Sequence, residues 1–247
     1  MTRGGERVLD EARLEALALA NRLCLVVDYV VQKDNYLWGP PMLGVGCVST
    51  PRCEMIDARS LRQREGMEFT SRPAVPADVP ELTALMDQAI GQLQRAFLDD
   101  AQIASSRAIM GIDSQLIEDG TYFVVQSNAD IAGCGGWSRR ATLYGGNQTP
   151  GRDSDLLDPA VDPARVRAMY TNPAYARRGV GRVILSLCEA AAAAERFTRL
   201  ELMSTLSGEP LYTAYGFRPL ERLLDATGGV SVPLVRMEKS VDPSLLG

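Results

Sequence analysis

The stretch Arg165–Arg196, RVRAMYTNPAYARRGVGRVILSLCEAAAAAER, decides the fold. From Arg165 to Thr171 it alternates: Val166, Ala168 and Tyr170 fall on one side, Arg165, Arg167 and Met169 on the other, the period of a strand. Asn172-Pro173 ends that strand. Further on, Val183, Ile184, Leu187, Cys188 and Ala191 recur at helical spacing. Between strand and helix lies Arg177-Arg178-Gly179-Val180-Gly181-Arg182. The first N–H groups of a helix have no internal partner, and the helix dipole favours an anion beside them. Gly179 and Gly181 lack Cβ, so a pyrophosphate can approach the main chain, and the three arginines add positive charge. A tight turn that caps a helix is the alternative reading of the two glycines.

Downstream, Arg199–Met203 is predicted as a strand and Glu209–Tyr215 as a short helix ended by Gly216. Arg218–Leu224 and Val230–Lys239 form a terminal hairpin around Thr227-Gly228-Gly229. Upstream, Glu68–Pro73 reads as a first strand. Asp78 and Pro80 open a helix, as N-cap and first-turn residues, with Leu82, Leu85, Met86, Ile90 and Leu93 as its buried stripe. Ala101–Leu116 makes one or two short helices interrupted by Gly111. Tyr122–Val125 and Ile131–Ser138 pair across Asn128-Ala129-Asp130. Tyr144–Pro163, rich in Gly, Asp and Pro, is a long loop where substrate selection can reside.

Composition narrows the chemistry. The chain has 247 residues, is 46% hydrophobic and carries a net charge of −5. Residues 1–66 hold 9 basic and 9 acidic residues, leaving 17 and 22 for residues 67–247. An acidic domain argues against a nucleic-acid partner and mildly suits a cationic substrate such as an amine. No stretch approaches ~18 consecutive apolar residues, so no membrane span is expected. There is no histidine, which removes Ser-His-Asp triads, Cys-His pairs and His-ligated metals; no metal is expected. Cys24, Cys47, Cys53, Cys134 and Cys188 form no C-x-x-C pair and fit reduced thiols in the cytoplasm. Residues 1–66, with helical character from Arg7 to Leu25 and then Gly- and Pro-broken sequence, read as a poorly ordered extension or an upstream-called start, with Met67 as the alternative beginning. A small regulatory or partner-binding role is the other reading.

Arg-Gly-Val-Gly at 178–181 resembles the acetyl-CoA signature of the GCN5-related N-acetyltransferase (GNAT) superfamily, Gln/Arg-x-x-Gly-x-Gly/Ala. The Gln/Arg position falls on Ala176, with arginines one and two residues later. Tyr212-x-x-x-Gly216-Phe217 resembles the second family signature, and the order of elements from Phe69 to Lys239 is compatible. The resemblance implies an α+β fold: a mixed, mostly antiparallel sheet of six to seven strands, splayed after the fourth and flanked by helices, over residues 67–247. It implies an acetyl-CoA-dependent N-acetyltransferase that passes the acetyl group to a primary amine by direct attack, the acceptor being a small molecule or peptide. Met169, Tyr170 and Thr171 would meet the pantetheine arm, and Arg177, Arg178, Gly179, Val180, Gly181 and Arg182 the pyrophosphate. Tyr212 would protonate the departing thiolate. Glu201, on the next strand, is the best carboxylate candidate for general base, with an exposed strand carboxylate as its alternative. Trp137, Arg139 and Tyr144 are candidates for the acceptor side, with core packing as the alternative for Trp137. A non-catalytic acyl-CoA-binding module is the alternative function. The oligomeric state is open, a homodimer being one option.

Overall fold

The computed structural model describes residues 68–246. The extension over residues 1–66, its Arg7–Leu25 helix and Met67 lie outside the described residues. Seven strands form one sheet in the order β1-β2-β3-β4-β5-β7-β6. They are β1 (Thr70–Pro73), β2 (Tyr122–Ser127), β3 (Asp130–Ser138), β4 (Ala164–Thr171), β5 (Arg199–Thr205), β6 (Arg218–Asp225) and β7 (Val232–Ser240). Every neighbouring pair is antiparallel except β4 and β5. This is the expected mixed, mostly antiparallel sheet.

Helices cover both faces. α1 (Val79–Leu93), α2 (Asp100–Ser106) and α3 (Ser114–Glu118) lie on one, α4 (Val180–Ala194) and α5 (Glu209–Tyr215) on the other. α1 buries Leu82, Leu85, Met86, Ala89 and Ile90. α4 buries Ile184, Leu185, Leu187 and Cys188. The interior strand β2 serves both cores, Tyr122 and Val124 facing the first and Phe123 and Val125 the second, which is why it reads as an unbroken apolar run. Asp78 does stand at the start of α1, but its carboxylate caps the preceding turn: it accepts from the Val75 N–H at 2.8 Å and from Arg72 at 2.7 Å.

Two irregularities in β4 shape everything around it. Cys134 of β3 faces Tyr170 but Gly136 faces Arg167, so β4 carries one extra residue there, and Ala168 adopts φ 51°. The expected common face of Val166, Ala168 and Tyr170 is therefore split. Val166 packs under α4, while Ala168 and Tyr170 pack on the opposite side. The second irregularity is the short ladder to β5. Only Ala164↔Leu200 and Arg165↔Glu201 pair, although β4 runs on to Thr171 and β5 to Thr205. The strands part, as the family resemblance implies.

At the closed end of that gap the Glu201 carboxylate, 3% exposed, is held between Arg165 and Arg236. Removing one partner of a buried ion pair leaves charge uncompensated. Glu201→Gln is thus expected to lower unfolding stability by about 3 kcal/mol in chemical denaturation. A change under about 0.5 kcal/mol would show that Glu201 does not hold the strands.

Candidate active site

The gap between β4 and β5 leads to the start of α4. Beyond Arg165 the β5-facing edge of β4 has no ladder partner, so the main chain of Met169, Tyr170 and Thr171 borders the opening. Asn172 fixes the turn that follows. Its side chain accepts from the Ala174 N–H at 3.0 Å and donates to the Ile131 carbonyl at 3.1 Å. The chain then takes left-handed conformations at Arg177 (φ 64°) and Gly179 (φ 93°). Nothing lies within 4 Å of where a Gly179 Cβ would be, so the loop opens onto free space. At Gly181 the reason for glycine is different. A Cβ there would come within 2.5 Å of Leu211, so its absence lets α4 and α5 approach.

The first N–H of α4 to find a backbone acceptor is that of Arg182, which donates to the Gly179 carbonyl at 2.9 Å. The donors before it are the surplus N–H groups of a helix end. Arg177, Arg178 and Arg182 are exposed around them, with the Arg178 guanidinium 5.8 Å from the Tyr175 ring centre and that of Arg182 5.9 Å from Tyr215. An open strand edge leading to a glycine loop with surplus donors fits an elongated ligand with an anionic middle, such as acetyl-CoA. Of the expected cofactor residues, 169–171 lie on the unpaired edge of β4 and 177–182 form the loop and first turn of α4.

Next to the parted strands is a cavity of about 90 Å³. The β4 bulge from Val166 to Tyr170 forms one wall. Met203 and Thr205 of β5, Tyr212 of α5, Tyr144 and the 109–111 loop form the others. Tyr212 stands where cleft and cavity meet. Gly208 makes room for it, since a Cβ there would come within 2.9 Å of the ring, and Phe217 meets it edge to face at 5.9 Å. Burial raises the Tyr212 phenol above its usual pKa, so it stays protonated at neutral pH. Tyr170 turns its phenol away from the cleft, accepting from the Gly111 N–H at 2.8 Å, and so brings its main chain to the site. Tyr122 donates to the Ala168 carbonyl at 2.7 Å and pins the bulge. Tyr144 lines the cavity and donates to Asp225 at 2.8 Å; burial and that neighbouring carboxylate push its phenol up to about 12.

Three candidates fall elsewhere. Glu201 does not line the cavity: its carboxylate is taken by Arg165 and Arg236. Trp137 is 2% exposed and packs on Phe197 in the α4-side core, centroids 5.9 Å apart. Arg139 bonds Glu195 at 2.5 Å and lies over the Trp137 ring. Register shifts along β3 break its alternation, and Trp137 near its end packs toward α4 rather than toward the cavity.

Arg167 is the residue that sequence reading passed over. It is 4% exposed, pairs with Asp113 at 2.6 Å and, among the described residues, is the only Arg, Lys, Asp or Glu that lines the cavity. The one local hint is an arginine within a strand that must be buried on both faces. Among the described residues no Asp or Glu lines the cavity. Among the described residues, no group of three or more His, Cys, Asp or Glu side chains is placed to hold a metal, and no helix is long and apolar enough to cross a membrane.

Residues 118–219, from the end of α3 into β6, match the profile of the acetyltransferase (GNAT) domain. No curated protein matches the chain. Among solved structures, a GCN5-related N-acetyltransferase from Rhodopseudomonas palustris is 17% identical with a TM-score of 0.51, over 69% of this chain and 94% of that one. The ribosomal-protein-S18-alanine N-acetyltransferase from Escherichia coli is 15% identical (TM-score 0.44, 71% and 95% covered). The PaiA N-acetyltransferase from Thermoplasma acidophilum, solved with coenzyme A, is 12% identical (TM-score 0.47, 70% and 99% covered). The profile match spans β2 to β5, the parted strands, the glycine loop and Tyr212, the same elements that build the cleft. Residues 118–219 of this chain thus match the acetyltransferase (GNAT) domain over the elements that build the cleft.

Proposed function

We propose that the protein moves an acetyl group from acetyl-CoA to a primary amine on a small molecule or peptide, by direct attack. The observation that carries this is the position of Tyr212, where the open edge of β4 meets the cavity. Bound acetyl-CoA supplies an activated acyl group with a thiolate leaving group. The N–H groups at the start of α4, with Arg177, Arg178 and Arg182, hold its pyrophosphate. The Met169–Thr171 edge orients the pantetheine arm. A main-chain N–H near Tyr170, beside the bulge, faces the charge that develops on the thioester oxygen. Tyr212 donates the proton that the thiolate needs.

The walls support direct attack: among the described residues no Cys, Ser or Lys lines the cavity, the chain has no histidine to activate the Thr205 hydroxyl, and burial pushes the Cys134 thiol up to about 12. The buried free thiols Cys134 and Cys188 suit a reducing compartment, so the cytoplasm is our assignment.

Acetyl-CoA is expected to bind the full chain in the micromolar range by calorimetry. Gly179→Val, which places a branched side chain at φ 93°, is expected to weaken binding at least tenfold; equal affinity would remove the loop from the site. Tyr212→Phe should lower kcat by about 10²-fold or more with acetyl-CoA affinity unchanged. Turnover that survives the substitution would assign the proton to another donor, and a wild type that binds acetyl-CoA without acetylating any amine would be a sensing module.

The pH profile is a separate check. Tyr212 acts in its protonated form, and its pKa is raised, so the active form persists through neutral pH and is lost only above the phenol's ordinary value of about 10. A fall in kcat between about pH 8 and 9 would exclude it as the donor.

A further inference from the structure

Two arginines of the glycine loop are seated on aromatic rings. The Arg178 guanidinium lies 5.8 Å from the centre of the Tyr175 ring, and that of Arg182 lies 5.9 Å from the centre of the Tyr215 ring. We propose that Tyr175 and Tyr215 are positioning residues of the anion site: each ring holds one arginine beside the loop, ready for the pyrophosphate of acetyl-CoA. The proposal rests on the acetyltransfer reading and deepens its cofactor site.

Three observations support it. First, each ring is itself fixed. The Tyr175 hydroxyl donates to Asp130 Oδ2 at 2.8 Å, at the start of β3. The Tyr215 ring has the Phe217 ring 6.4 Å away and the Lys239 ammonium at 5.4 Å, and Lys239 in turn pairs with the buried Glu189 of α4. Burial and the Glu189 charge raise the Tyr215 phenol, so it stays neutral. Second, separate parts of the chain deliver the two rings to one loop. Tyr175 belongs to the short turn Pro173–Tyr175 that Asn172 caps, just ahead of Gly179. Tyr215 ends α5, one helical turn beyond Leu211 on the same side, and Leu211 is the residue that the missing Cβ of Gly181 admits. The Tyr215 phenol lies beside Ser186 and Glu189, which follow Arg182 along one side of α4. Third, Arg182 is exposed and, among the described residues, meets a ring and no carboxylate, so its charge is left for a ligand.

An exposed arginine samples many rotamers, and binding a phosphate freezes them. A ring beside the guanidinium favours one placement before the ligand arrives, through cation–π attraction. Stacking uses the face of the group, and its N–H edge stays free for phosphate oxygens. The rings therefore add to affinity without touching the ligand.

The test is a pair of double-mutant cycles on the full chain, read as acetyl-CoA affinity by calorimetry. Tyr175→Leu and Tyr215→Leu are each expected to weaken binding about fivefold, whereas Tyr175→Phe and Tyr215→Phe, which keep a ring, should stay within about twofold of the wild type. Tyr215→Leu should cost little more once Arg182→Gln is present, and Tyr175→Leu little more once Arg178→Gln is present. The crossed pair, Tyr215→Leu with Arg178→Gln, should instead multiply its losses, a pattern that a merely structural role would not give. Tyr175 is half-buried in a short turn, so its cycle reads the contact even where a Tyr215 variant fails to fold. Leucine variants that bind as the wild type does, or losses that multiply within each Tyr–Arg pair, would overturn the proposal and leave the acetyltransfer reading standing. A wild type with no affinity for acetyl-CoA would overturn both.

Discussion

A parallel pair of strands that separates after two residues is the constraint on which this molecule depends. A strand edge without a partner exposes main-chain donors and acceptors that must be satisfied by water or a ligand. Here β4 pairs with β3 on either side of its bulge and is released from β5 on the other edge. The release is built from both ends. Arg165, Arg236 and Glu201 clamp the closed end, and the bulge at Ala168, pinned by the Tyr122 hydroxyl, bends β4 away. The glycine loop then sets the surplus donors of α4 at the far end of the same opening. Cleft, anion cradle and cavity are therefore consequences of one strand that stops pairing.

Charge is arranged against the overall trend of the chain. Within an acidic domain, Arg167 and Arg165 lie inward on the sheet and each share a carboxylate with a second arginine. Burying ions in this way is a weak source of stability but a strong one of position, because each guanidinium can sit in only one place once its partner is fixed. Asp113 does double duty: it caps α3 through the Gln115 N–H at 3.2 Å and anchors Arg167, coupling the helix start to the cavity wall. Tyr170 and Tyr144 add phenol tethers to the 109–111 loop and to β6, so the cavity is walled by segments from across the chain.

Much of this was legible in the residues. The α5 boundaries follow from Gly216, which adopts φ 103° at its C-terminus, and the glycine loop followed from two residues without Cβ before an apolar helical stripe. Tyr212 was placed by its spacing to Gly216 and Phe217. Glu201, Trp137 and Arg139 were not, because strand alternation says which residues share a side and not what lies over that side. The bulge escaped notice for the same reason: Ala168 shows nothing unusual until β3 is laid against it with Cys134 and Gly136 out of step.

The sequence by itself determined what short-range physics controls: the helical stripes, the turn residues, the glycine-rich helix start, and the absence of histidine that excludes whole classes of chemistry. Only the tertiary structure decided the gap between β4 and β5, the burial of Glu201 in an ion cluster and the pairing of Arg167 with Asp113. Those features join residues far apart, 54 positions between Asp113 and Arg167, 59 between Gly111 and Tyr170 and 81 between Tyr144 and Asp225. Propensity and capping act within a turn of chain, whereas such pairings exist only once the sheet has brought their partners within bonding distance.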